Sequence, residues 1–97
     1  MAYGYVIAQI TVTDPAAYQR YVALVEPIVQ KFGGEFLVRG GQSESFEGTP
    51  PGDRNVIIRF PSYAAAQKWY GSDDYAEAKA LRMSASSSVQ TIVEGVA

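Results

Sequence analysis

Gly33-Gly34-Glu35-Phe36-Leu37-Val38-Arg39-Gly40-Gly41 decides the fold. A glycine pair ends one helix, a short run apolar on both faces starts a strand, and a lone arginine is set against a second glycine pair. Glycine tolerates the left-handed conformation that closes a helix, so Gly33-Gly34 marks the end of the element before it. Upstream, Tyr18, Tyr21, Val22, Val25, Val29 and Phe32 follow helical spacing and form one apolar stripe. Asp14-Pro15 opens that helix: the carboxylate suits the N-cap, and proline suits the first helical position, where its missing N–H costs nothing. Pro27 lies inside the stripe, removes one backbone bond and predicts a kink. Before the helix, Tyr3 to Thr13 alternates with period two, Val6, Ala8, Ile10 and Val12 on one face and Tyr5, Ile7, Gln9 and Thr11 on the other.

Downstream, Gly40-Gly41 permits a bend or bulge, after which pairing is expected to resume through Ser45-Phe46-Glu47. Thr49-Pro50-Pro51-Gly52-Asp53 is turn chemistry. Asn55 to Phe60 reads as the third strand, with Val56, Ile58 and Phe60 on one face and Ile57 and Arg59 on the other. Pro61-Ser62 stops it, and Ser62 caps a helix through Trp69-Tyr70. Gly71 breaks that helix. Ser72 recaps it, with Asp73-Asp74 in the first turn where the helix dipole favours anions, and it runs to about Leu81 or Arg82. Val89, Thr91 and Val93 alternate with Gln90, Ile92 and Glu94 in a last strand.

The order is βαβ-βαβ. Right-handed crossovers turn it into a four-stranded antiparallel sheet of order 4-1-3-2 with the helices on one face: an α+β, ferredoxin-like protomer in a single domain over residues 1–97. The helices cover Val6, Ala8, Ile10, Val12, Val56, Ile58 and Phe60. The opposite face carries Tyr5, Ile7, Gln9, Leu37, Arg39, Ile57 and Arg59, too much apolar surface for water on a small monomer. A second copy is the simplest cover, so a homodimer with two sheets face to face is expected.

Composition narrows the chemistry. Of 97 residues, 47% are hydrophobic and 19% charged, with a net charge of -2 and no basic cluster, which argues against nucleic acid. No apolar run reaches membrane-spanning length and no leader-like segment is evident, so a cytoplasmic location is expected. The chain has no cysteine and no histidine. That removes thiolate nucleophiles, soft metal sites, the commonest general base and the usual haem ligand. No acidic cluster has the spacing of a known metal loop, so no metal and no cofactor is expected.

A set of motifs resembles one known family: Gly33-Gly34, Leu37-Val38-Arg39-Gly40-Gly41, Glu47-Gly48, Phe60-Pro61-Ser62, Ala66, Trp69-Tyr70, Ser72, Tyr75, Leu81-Arg82 and Val93-Glu94-Gly95. Together they resemble domain of unknown function 1330, in the dimeric α+β barrel superfamily, over nearly the whole chain. The resemblance implies a ferredoxin-like protomer and a homodimer, and it implies no activity. The wider superfamily includes cofactor-independent monooxygenases, haem enzymes, isomerases and ligand-binding domains; the missing histidine makes a histidine-ligated haem enzyme a poor template.

Arg39 is the first candidate ligand-binding residue. A fixed guanidinium can clamp a carboxylate, and Gly40 lets a ligand approach the backbone; an ion pair with Glu47 or with a carboxylate across the dimer is the structural alternative. Trp69, Tyr70, Ser72 and Tyr75 surround the helix break, where a pocket can open; equally, Trp69 is core and Ser72 a cap. Tyr75 and Arg82 lie two turns apart on one helix face with Ala78, and Tyr18 is placed in the same region. Glu47, by elimination, is the candidate general base, with Tyr75 as its acid–base companion. These residues describe a pocket near Arg39, Trp69, Tyr75 and Arg82 for a small carboxylate-bearing or aromatic metabolite. Enzyme, non-catalytic binding module and structural dimer all remain open at this point.

Overall fold

The computed structural model describes residues 2–97. The elements are β1 (Gly4–Val12), α1 (Pro15–Lys31), β2 (Glu35–Arg39), β3 (Arg54–Phe60), α2 (Tyr63–Tyr70), α3 (Asp73–Ala85) and β4 (Ser86–Glu94). The strands form one open sheet in the order β2-β3-β1-β4, antiparallel throughout, with the helices packed on one face. This is the ferredoxin-like arrangement that the element order predicts.

Local chemistry sets the element boundaries. Asp14 accepts from the Ala17 N–H, Ser62 from Ala65 and Ser72 from Tyr75, so each helix starts where a short oxygen-bearing side chain satisfies a free donor. At the end of α1, Gly33 sits at φ +81, while its N–H donates to the Gln30 carbonyl and that of Gly34 to Val29. This double closure needs a residue that accepts positive φ. The helix runs through Pro27 as a single element rather than dividing there.

The core lies between sheet and helices. Val6, Ala8 and Ile10 of β1 and Val56, Ile58 and Phe60 of β3 meet Tyr18, Tyr21, Val25 and Val29 of α1, Ala66 and Trp69 of α2, and Tyr75, Ala78 and Ala85 of α3. Burying a large side chain contributes roughly 1.5–3 kcal/mol, so the fully buried Trp69, Phe60, Val25 and Val29 anchor the two layers.

Three expectations are corrected. The bulge falls inside β2 rather than at Gly40-Gly41. Phe36 pairs with Ile58 and Val38 with Ile57, which leaves Leu37 as the extra residue. Leu37 and Val38 are therefore both exposed on the open face, and Arg39 turns to the helix side, the reverse of strict alternation. Residues 45–47 form no strand, because the chain from Gly40 to Asp53 is irregular and exposed except near Gly52. Finally, α3 continues to Ala85 and β4 begins directly at Ser86, three residues before the apolar alternation starts. The Ser86–Ser88 segment pairs with Val12–Ile10, and that ladder recruits serines which have little strand preference of their own.

Candidate functional site

A narrow cleft runs between α1 and the sheet beneath the mouth formed by β2. Its walls are apolar, from β1, β3 and α1, and its polar lining is Tyr18, Tyr21, Arg39, Arg54, Trp69 and Gln90. The free volume is about 20 Å³, room for a single water. Two buried donors here have no protein partner: the indole Nε1 of Trp69 and the guanidinium Nε of Arg54. A buried donor left unpaired costs about 1–3 kcal/mol, and such groups are uncommon in folded proteins. Both orphans border the same cleft.

The bulge sets the mouth. Because Leu37 is looped out, Arg39 reaches α1, donating through Nη2 to the Val22 carbonyl at 3.0 Å and through Nη1 to Glu26 at 3.2 Å. Its guanidinium also lies 4.0 Å over the Phe36 ring. The Glu26 side chain is half exposed, so this ion pair holds Arg39 only weakly and an incoming carboxylate can replace Glu26. Gly40, at φ +73, donates to the Asn55 carbonyl; a Cβ there would collide with the Arg54 guanidinium. Gly40 thus makes room for Arg54, which rests 5.2 Å from the centre of the Tyr18 ring.

Behind the cleft wall runs a buried polar chain. The Tyr21 and Tyr75 hydroxyls lie 2.8 Å apart, and Arg82 Nε donates to the Tyr75 hydroxyl at 3.3 Å. Tyr75 stacks on Trp69 at 4.3 Å between ring centres. Burial pushes the Tyr21 phenol far above the ordinary tyrosine range, with the Tyr75 oxygen adding to the effect. Burial also raises Tyr75, although the hydrogen bond from Tyr21 and the charge of Arg82 pull it part of the way back.

The candidate residues therefore separate. Arg39, Gly40, Tyr18 and Trp69 come together at the cleft. Tyr75 is fully buried behind Trp69, and Arg82 opens onto a different surface, lined with Tyr70 and Ser88. Ser72 spends its hydroxyl on the helix junction, accepting from Tyr75 N–H and donating to the Trp69 carbonyl at 2.8 Å. Glu47 stands exposed on the irregular loop, and Arg39 pairs with Glu26 instead. Arg54, Tyr21 and Gln90 are the polar cleft residues that sequence reasoning passed over. The strong turn before Arg54 hid its place at the cleft, and Tyr21 read as stripe. Among the described residues no group of acidic side chains is arranged to hold a metal ion, and no helix is long and apolar enough to cross a membrane.

Residues 3–96 match the family described as Domain of unknown function (DUF1330). The chain belongs to that family. No curated protein matches the sequence. Among solved structures, it is similar to RPA0582, a protein of unknown function from Rhodopseudomonas palustris. The TM-score is 0.79 at 18% identity, covering 99% of this chain and 84% of that one. It is also similar to SnoaB, a cofactor-independent oxygenase from Streptomyces nogalater, with a TM-score of 0.68 at 12% identity, covering 100% of this chain and 96% of that one. At such identities the likeness is one of fold alone, the ferredoxin-like α+β arrangement.

Proposed function

We propose that this DUF1330 protein is a homodimeric binding protein for a small, largely apolar molecule bearing a carboxylate or carbonyl group, held within each protomer between α1 and the sheet. The observation that carries this reading is the pair of orphaned donors, Trp69 Nε1 and Arg54 Nε, on one apolar cleft. An acceptor that reaches them pairs donors that no protein group pairs. Arg39 supplies the charge at the mouth, exchanging Glu26 for the ligand. The reading requires Tyr18 and Phe36, which border the cleft, to move, because the present free volume of about 20 Å³ holds a single water.

Dimerisation is part of the same reading. Ile7, Leu37, Val38, Val89 and Val93 are exposed on the open face of the sheet, where a second sheet would cover them. The fold likeness to an oxygenase does not by itself bring turnover. Glu47 and Tyr75, the acid–base pair read from the sequence, do not border the cleft, so binding is favoured over catalysis.

The test is a thermal-shift screen of small aromatic and aliphatic acids against wild type, Trp69→Phe and Arg54→Met. A ligand at about a hundred times its dissociation constant stabilises the folded state by roughly 2.7 kcal/mol, a shift of several degrees or more in a domain of this size. The expected result is a hit weakened in both variants. A hit bound equally by all three proteins, or no hit with all three folded, overturns the reading.

A further inference from the structure

We propose that Arg82 forms the floor of a second site, at the free edge of β4, that binds a small oxyanion. Arg82 is only 3% exposed, yet its charge has no carboxylate partner; the ion pairs among the described residues are Lys31–Asp74, Arg39–Glu26 and Arg59–Glu35. A guanidinium does not shed its proton, so a full positive charge sits buried and uncompensated. Its neighbours are neutral. Nη1 donates to Ser88 Oγ at 2.8 Å and Nε to the Tyr75 hydroxyl at 3.3 Å, and the Gln90 amide, with its oxygen turned inward, accepts from Nη1 at 2.9 Å. Nη2 is the poorly served nitrogen: its contact is the Tyr70 hydroxyl at 3.5 Å.

The space beside Arg82 is an open cleft of about 380 Å³ lined by Tyr70, Arg82, Met83, Gln90 and the serines 86–88. The strand register adds backbone donors to it. Gly95 N–H bonds the Tyr3 carbonyl and Thr13 N–H bonds Ala85, so the odd-numbered residues of β4 are the ones that pair with β1. Ser86, Ser88 and Gln90 therefore turn their N–H groups to the outer edge, where no strand follows among the described residues. A buried cation, hydroxyls, an amide and free edge N–H groups converge on one cleft, and the missing partner for this set is negative charge. A carboxylate and a phosphate share the required chemistry.

This site shares Gln90 with the α1 cleft but opens on the other side of it, and the experiment keeps the two distinct. Thermal unfolding of wild type in chloride buffer is followed while sodium phosphate or sodium acetate replaces chloride at constant ionic strength. Calorimetric titration with the effective anion gives the stoichiometry. The expected result is a saturable stabilisation by at least one of the two anions, one equivalent per chain, with the more effective one naming the class. Ser88→Asp places a carboxylate beside Nη1; it is expected to raise the melting temperature by itself and to weaken anion binding at least tenfold. Arg82→Met removes the response if it folds, and Ser88→Asp carries the test if it does not. No saturable response to either anion, a response unchanged in Ser88→Asp, or one lost in Arg54→Met instead each overturns the proposal.

Discussion

The hydroxyl of Tyr75 holds more of the structure than that of Tyr21, although the two share a bond, and two phenylalanine substitutions measure the difference. Tyr75 is fully buried, accepts from Arg82 Nε and pairs with the Tyr21 hydroxyl. Tyr21→Phe therefore breaks one buried hydrogen bond and leaves the Tyr75 hydroxyl with Arg82 alone. Tyr75→Phe strands two, the Tyr21 hydroxyl and an N–H of a buried guanidinium. An unpaired buried group costs about 1–3 kcal/mol and one on a charged partner more, with the Gln90 amide able to recover part of the Arg82 loss. We expect Tyr21→Phe to cost about 1–2 kcal/mol and Tyr75→Phe about 2–4 kcal/mol. In a domain of this length each kcal/mol lowers the melting temperature by roughly 4–8 °C. Urea unfolding of both variants and the double variant, at one protein concentration, is the assay. Tyr21→Phe should cost less in the Tyr75→Phe background than in wild type, since their bond is then already lost. Equal losses from the single variants, or additive ones, refute the chain from Tyr21 through Tyr75 to Arg82.

The same pair predicts an alkaline limit. Both phenols have folded-state pKa values raised above the ordinary 10.0, so their stability is fully present below that pH and is lost as pH rises past it. The slope is about 1.36 kcal/mol per pH unit for each group; unfolding curves between pH 9 and 12 should be shallower in Tyr21→Phe, and an unchanged slope contradicts the burial. The bulge in β2 makes a separate prediction. Val38→Lys should leave the protomer folded by circular dichroism while abolishing self-association in sedimentation, because Val38 faces the open side beside Leu37. Strict alternation would instead bury the lysine, and a collapsed fold in that variant would return Val38 to the core.

What the sequence determined by itself was whatever depends on near neighbours along the chain. Asp14, Ser62 and Ser72 cap helices because a short side chain reaches the N–H three residues on, wherever that helix later packs. Gly33 closes α1 because the required backbone conformation excludes most other residues. The alternation of β1 and β3 set the core face, and the element order with right-handed crossovers left one sheet topology. Which way the polar residues turn is set by packing between distant segments. One looped-out residue at Leu37 sends Arg39 to the helix side, and a bulge depends on how β2 fits the curvature of β3, which no local pattern encodes. Tyr75 and Arg82 share a helix face, as their spacing required. Yet Trp69 stacks between Tyr75 and the cleft, so a single expected pocket becomes two. Arg54 follows a turn and reads as exposed, and its Nε is buried because Gly40 leaves room for the guanidinium. Each of these outcomes turns on contacts between residues distant in sequence, and the energy of a buried polar group is set by those contacts rather than by its own neighbours.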